Sequence, residues 1–113
     1  MQRNSKILSL VLGGMAIIWS SIAVADTDLY FNSPVTSVGT QETIAYFQWE
    51  SVPAECPWGV MYIDGEKLGG DAAASRMLSL ITSAYLSKKN LVRVQYSTDT
   101  ANHDRCYAKL VQF

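Results

Sequence analysis

The sequence predicts a small, β-rich α+β domain in which one amphipathic helix packs on an antiparallel sheet. Apolar residues recur with a period of two before and after a single segment, residues 72–88, in which they recur with the period of a helix. Residues 26–113 also hold 11 aromatic side chains, a density that suits the core of a β-rich protein. Since this length fits one small hydrophobic core, we predict a single domain over residues 26–113.

The first 25 residues are typical of an export signal. Arg3 and Lys6 provide a positive start, residues 7–19 an apolar stretch, and residues 23–25, Ala-Val-Ala, a small-residue cleavage site before Asp26. An uncleaved membrane anchor is the alternative, but glycine and serine pairs interrupt the apolar run, which is shorter than the ~20 residues of a transmembrane helix. We therefore expect a signal peptide over residues 1–25 and an exported protein, either periplasmic or secreted.

The charge of the chain argues against a nucleic-acid partner. Residues 26–113 contain seven basic and ten acidic residues, a formal net charge of −3 against −1 for the whole chain. Nucleic-acid binding draws its affinity from clustered lysine and arginine, and only Lys88-Lys89 is locally basic. We expect no nucleic-acid partner.

Cys56 and Cys106 are the two cysteines of the chain, and both follow the signal. Two cysteines in an exported protein are most simply paired in one disulfide, with free thiols as the alternative. They make a poor metal site, because zinc needs three or four ligands and the sequence offers no local cluster of cysteine and histidine. The sequence therefore predicts a Cys56–Cys106 disulfide and no metal.

The segment before the helix is predicted to form strands. Residues 35–50 are expected as a hairpin or one long bent strand, with Gly39 at the bend, and the apolar residues that alternate over positions 45–49 should share the buried face. Residues 59–63 form a further short strand. Asp64-Gly65, which follows, is a dipeptide typical of a tight turn.

The helix is predicted over residues 72–88. Asp71 is placed to cap its start, and Asn90 to end it in the left-handed conformation. The apolar positions recur at helical spacing and should form the stripe that packs on the sheet: Met77, Leu78, Ile81, Ala84 and Tyr85.

Two strands are predicted after the helix, over residues 91–96 and 105–113, with a surface loop over residues 97–104 between them. Each strand should alternate between a buried and an outer face. The residues expected to share one face are Val92, Val94 and Tyr96 in the first strand, and Cys106, Ala108 and Leu110 in the second.

No motif in the sequence points to catalysis. His103 is the single histidine and lies in the polar loop between the last two strands, where a solvated side chain is the common case. The acidic residues lack the spacing of a calcium loop, and the sequence contains neither a nucleophile elbow nor a phosphate-binding glycine loop. We predict a protein that is not an enzyme and needs no cofactor.

Two aromatic segments are candidates for ligand binding. Residues 26–33, expected as an extended arm, contain Tyr30 and Ser33, and Trp58 stands between a proline and a glycine. Sugar rings stack on aromatic side chains while their hydroxyls bond to hydroxyl, amide and backbone groups. The alternative is that these rings cover the edge of the core, which is the simpler interpretation for Trp58 and an equal one for Tyr30 and Ser33.

The stretch MLSLITSAYLSKKNLVRVQY, residues 77–96, followed by a cysteine and a last strand, resembles a group of small exported bacterial proteins. They are the B subunits of subtilase-cytotoxin and pertussis-like toxins, and the resemblance covers roughly residues 35–113. It implies an OB-like small barrel or curled sheet with the helix packed on it. It also implies that Cys56 pairs with Cys106.

The same resemblance carries expectations about partners. B subunits of this kind assemble as ring pentamers, bind host glycans and accompany a toxin A subunit. Tyr30-Phe31-Asn32-Ser33 resembles the place where the subtilase-toxin B subunit carries its sialic-acid-binding serine.

We therefore expect a carbohydrate-binding, B-subunit-like module that binds its ligand with Tyr30, Ser33 and Trp58 and forms a homo-oligomer. The alternative is a periplasmic interaction or structural protein with no glycan ligand. Such a protein would hold another exported protein by an exposed sheet edge or an apolar surface.

Overall fold

The computed structural model describes residues 26–113, which form seven strands, a short and a long helix, and one 3₁₀ turn. The strands are β1 (Thr27–Leu29), β2 (Ser33–Gln41), β3 (Ile44–Trp49), β4 (Met61–Ile63), β5 (Asn90–Leu91), β6 (Arg93–Asp99) and β7 (Arg105–Gln112). The helices are the one-turn α1 (Gly65–Leu68) and the long α2 (Asp71–Ser87), and a 3₁₀ turn covers Pro57–Gly59. The predicted β-rich α+β class is confirmed, whereas the predicted signal at residues 1–25 lies outside the described residues.

The strands form one mixed sheet in the order β1-β6-β7-β4-β3-β2-β5. Neighbouring strands are antiparallel, except that β4 and β7 are parallel. Only Val92 separates β5 from β6, although β5 pairs with β2 and β6 with β7. The sheet therefore has to curl until its two ends meet. This is the strand arrangement of an OB-like barrel that begins at β2, in which the helix α2 lies between the third barrel strand, β4, and the fourth, formed by β5 and β6.

The β2–β3 hairpin turns at Glu42-Thr43, and Glu42 takes a left-handed φ of 54°. The prediction that Gly39 forms the bend is wrong, because Gly39 lies within β2 opposite Tyr46. A Cβ at position 39 would stand 2.7 Å from Cζ and Oη of Tyr46. Gly39 is therefore explained by the space that the Tyr46 ring occupies above the strand.

The inner face of the sheet and α2 enclose the main hydrophobic core. Ala45, Phe47 and Trp49 are buried there, as their alternation predicts. The residues that α2 buries in this core are Met77, Ile81 and Ala84, with Leu78 partly buried beside them. Tyr85 is 41% exposed, so its predicted place in the stripe is wrong. At 100° per residue it lies about 40° beyond Ile81, on the flank of the buried face.

The long helix spans Asp71–Ser87, within one residue of the prediction at each end, but both predicted capping residues are wrong. Asp71 is its first helical residue, Gly70 precedes it without a side-chain cap, and the Asp71 side chain instead lies against Gly65. At the other end the left-handed residue is Lys88, whose N–H donates to carbonyls of the last helical turn. Asn90, the residue predicted for this position, already belongs to β5.

Asp64-Gly65 begins the short helix α1, where the sequence predicts a tight turn. The Asp64 Oδ1 accepts a hydrogen bond from the Glu66 N–H at 3.0 Å and caps α1. Asp64 is thus an N-cap, a position for which aspartate is as well suited as it is for a turn.

The last two strands contain a β-bulge that changes which residues face the core. Gln95 pairs with Leu110 but Tyr96 pairs with Ala108, which leaves Lys109 as the extra residue. One inserted residue reverses the alternation, so Val111 packs on the core instead of the predicted Leu110.

Three further boundaries differ from the prediction in this half of the chain. Leu91 is fully buried and Val92 is exposed, because the strand breaks at Val92. β6 continues to Asp99, which shortens the predicted 97–104 loop to a tight turn. The predicted arm at residues 26–33 contains β1, which pairs with β6 through Thr27 and Tyr96.

Cys56 and Cys106 form a disulfide that joins the loop after β3 to β7, with their Cα atoms 5.5 Å apart. The predicted pairing is confirmed, and a disulfide is compatible with an exported protein because such bonds persist in oxidising compartments. Among residues 26–113, no helix has the length and apolar character needed to cross a bilayer.

Candidate functional site

The outer face of the sheet carries a row of three tyrosines. Tyr46 pairs with Tyr62 and Tyr62 with Tyr107, so the register of β3, β4 and β7 places the three side chains side by side. Their ring centroids are 6.3 and 5.9 Å apart. Val60 packs with the row to form a second apolar cluster, to which no helical residue belongs within the described chain. The row is therefore a packed aromatic floor that α2 does not cover.

One end of this floor opens into a pocket of about 520 Å³, which we call the outer pocket. Its volume lies in the range of small-ligand sites. The side chains that the following argument uses are Ser37, Gln41, Gln48, Trp58, Tyr62 and Arg105.

Trp58 forms an aromatic rim of the outer pocket and is 65% exposed. It is the middle residue of the Pro57–Gly59 3₁₀ turn, which follows Cys56. In this turn the Gly59 N–H donates a hydrogen bond to the Cys56 carbonyl at 3.2 Å. The Trp58 φ of 60° is a left-handed value that bulky residues seldom adopt. A large apolar ring is thus held in solvent by a strained backbone, and strain of this kind concentrates at binding sites.

Arg105 lies between the rim and the floor. Its guanidinium carbon is 4.8 Å from the Tyr62 ring centroid and 6.0 Å from that of Trp58. Its Nε is buried and has no hydrogen-bond partner within the described residues. The guanidinium therefore lies within cation–π distance of two aromatic rings, while its Nε has no hydrogen-bond partner.

Neutral polar groups line the opposite wall of the outer pocket. The Ser37 hydroxyl donates to Oε1 of Gln48, and the Tyr62 hydroxyl lies 3.5 Å from Oε1 of Gln41. The β2–β3 hairpin positions both glutamines. Gln41 lies on β2 and Gln48 on β3, each at an outward-facing position. Together these groups offer amide and hydroxyl hydrogen bonds beside an aromatic surface, which is the chemistry that sugar rings require.

A charged pair lies beyond the outer pocket at the far end of the tyrosine row. The Lys67 ammonium is 4.9 Å from the Tyr107 ring centroid and donates a hydrogen bond to Asp99 Oδ2 at 2.8 Å. This hydrogen bond lowers the pKa of the Asp99 carboxyl and raises the pKa of Lys67. Lys67 is therefore a cation with an anionic partner, whereas Arg105 forms no ion pair within the described residues.

The three ligand-binding residues predicted from the sequence are not brought together. Trp58 lines the outer pocket, whereas Tyr30 and Ser33 do not. Ser33 is buried, with its hydroxyl bonded to Ser51 and its carbonyl accepting a hydrogen bond from the Trp49 indole at 2.8 Å. Tyr30 is 68% exposed, and its ring centroid is 5.4 Å from the Arg93 guanidinium carbon.

Sequence reasoning missed Arg105, Gln48 and Tyr62 as candidate site residues. They come from three strands and have no shared motif. A partial signal exists, because Gln48 and Tyr62 stand at outward positions of period-two segments. Arg105, which precedes Cys106 by one residue, is brought to the Trp58 turn by the disulfide.

Among residues 26–113, no group of three or more metal-ligating side chains occurs. His103 adopts a left-handed φ of 58° in the β6–β7 turn.

No protein-family model matches the chain, and no match was found among curated proteins or solved structures. The resemblance to toxin B subunits consequently stays a prediction.

Proposed function

We propose that this protein is a non-enzymatic binding protein that recognises carbohydrate at the outer pocket. The observation that carries the proposal is the solvent-exposed Trp58 ring beside an arginine and a wall of amide and hydroxyl groups. Sugars bind where an aromatic face meets convergent hydrogen-bonding groups.

The position of the pocket in the fold supports the same function. The outer pocket is lined by β2, β3 and β4, the first three strands of the OB-like barrel, together with the 3₁₀ turn and the first residue of β7. OB folds commonly bind oligosaccharides and oligonucleotides on this face, and the acidic charge of the chain disfavours the nucleic acid. A host glycan as ligand, a toxin A subunit as partner and a ring pentamer belong to the proposal only through the toxin resemblance.

A glycan array with the purified, oxidised protein tests the proposal. Trp58→Ala should abolish binding, and Phe113→Ala, which removes another exposed ring outside the outer pocket, should leave it unchanged. Ser33→Ala distinguishes the two candidate surfaces, because it lowers binding only if the ligand lies at residues 30–33. Wild-type protein that binds no glycan at all would contradict carbohydrate recognition.

A periplasmic interaction protein is the second candidate function. β1 is an edge strand, and the two rings that follow it, Tyr30 and Phe31, are both more than half exposed. An edge strand can add a strand from another protein, and exposed aromatic side chains can anchor it. For this function, Tyr30→Ala with Phe31→Ala should release a co-purifying partner, whereas Trp58→Ala should not.

A further inference from the structure

Arg105 differs from Arg93 and Lys109, the other cations of the sheet, and from Lys67 of α1 in having no anionic partner within the described residues. Ion pairs hold Lys67 to Asp99, Arg93 to Asp28 and Lys109 to Asp26, at 2.8, 3.0 and 3.8 Å. Arg105 forms no ion pair within the described residues. This is unexpected in a protein whose residues 26–113 carry more acidic than basic side chains.

No acidic residue around Arg105 forms an ion pair with it within the described chain, including Asp104, which precedes it in the sequence. Glu42 and Asp64 line an adjacent groove to which Arg105 also contributes, yet neither forms an ion pair with it. No carboxylate lines the outer pocket, where Arg105 is the single formal charge. The pocket is therefore cationic in an acidic protein.

The surroundings of Arg105 also leave its hydrogen-bond donors unused. The guanidinium lies within cation–π distance of two aromatic rings, at 4.8 and 6.0 Å, while its N–H groups point outward in the guanidinium plane. Nε is buried without a partner, and a buried donor in this state normally indicates a ligand or an ordered water that satisfies it. A carboxylate or a sulfate matches the planar fork of an arginine with two parallel hydrogen bonds.

We infer that the outer pocket takes a saccharide that bears an anionic group, a carboxylate or a sulfate, and that Arg105 pairs with this group. Trp58 stacks on the sugar ring, and Gln48 and Ser37 bond to its hydroxyls. This inference rests on the proposed function and adds the charge class of the ligand.

Titration calorimetry with matched oligosaccharides tests the inference. One member is neutral, a second carries a uronic-acid carboxylate, and a third carries a sulfate on the same backbone. One or both acidic members should bind about 10- to 100-fold more tightly than the neutral one, as expected for a hydrogen-bonded charge. The two acidic members show which anion the site prefers.

Three variants assign the preference to Arg105. Arg105→Gln should weaken binding of the acidic members more than binding of the neutral one, so that the acidic preference disappears, and Arg105→Lys should restore part of that preference. Lys89→Gln removes the same charge at an exposed position outside the pocket and should change nothing. Equal binding of neutral and acidic members by the wild type would overturn the inference and leave carbohydrate recognition standing. An acidic preference that survives in Arg105→Gln, folded by circular dichroism, would overturn the role of Arg105, and binding of no saccharide would overturn the proposed function itself.

Discussion

The two faces of the sheet are packed in different ways. On the inner face α2 covers the strands, and Phe47, Leu91 and Val94 have no exposed surface. On the outer face the tyrosine row packs on itself, and the cations Lys67 and Arg105 lie over its rings. The inner face thus contributes mainly stability, whereas the outer face keeps polar groups accessible for a ligand.

The largest effect on stability should come from removing the disulfide that links β7 to the loop after β3. Cys56→Ser with Cys106→Ser removes a bridge between residues 50 positions apart, which should lower the free energy of unfolding by about 4 kcal/mol because the unfolded chain gains entropy. Guanidinium unfolding under oxidising conditions measures this loss. Since Trp58 and Arg105 adjoin the two cysteines, the variant should also weaken ligand binding, and an unchanged midpoint would show that the bridge has no stabilising role.

The inner face should respond next most strongly. Ile81→Ala truncates a fully buried side chain of α2, so we expect a loss of about 3 kcal/mol from transfer and cavity formation. Leu78→Ala should cost less, because Leu78 is only partly buried. Leu86→Ala, on the solvent side of the same helix, is the matched control and should change stability by less than about 0.5 kcal/mol. Equal losses for Ile81→Ala and Leu86→Ala would contradict the orientation of α2.

A tyrosine of the inner face should make stability depend on alkaline pH. Burial, together with a 2.6 Å hydrogen bond to Glu55, raises the pKa of Tyr96 to about 12 from an ordinary value of 10.0. A raised pKa in the folded state stabilises the fold below pH 10, and this contribution is lost as pH rises from 10 to 12. Tyr96→Phe should cost about 1 kcal/mol at neutral pH and flatten the alkaline decline. Parallel declines in both proteins would exclude Tyr96 as the cause.

The outer rim should show the smallest effect on stability. Trp58→Ala removes a ring that is mostly in solvent, so the free energy of unfolding should change by less than about 0.5 kcal/mol, while glycan binding should be lost. Thermal unfolding and the glycan array, measured on the same sample, separate the two effects. A loss of stability comparable to that of Ile81→Ala would mean that Trp58 belongs to the core, as the simpler interpretation of the sequence held.

Local pattern predicts the inner face better than the outer site. The alternation over residues 45–49 and the helical spacing of Met77, Ile81 and Ala84 identify buried positions correctly, because burial follows the period of each element. Of the ten residues that line the outer pocket, the sequence singled out only Trp58 as a ligand-binding candidate. Arg105 carries no local signal, since its neighbours in the pocket come from β2, β3, β4 and the 3₁₀ turn.

The sequence by itself determined the β-rich class and the amphipathic helix, which depend on spacing along the chain, and the cysteine pair, which follows from there being two cysteines. Tertiary structure decided the use of Gly39, the bulge at Lys109 and the meeting of Trp58 with Arg105. These features depend on strand register and on the curl of the sheet. Register couples residues far apart in sequence, and a single inserted residue reverses the faces, so no local pattern can specify them.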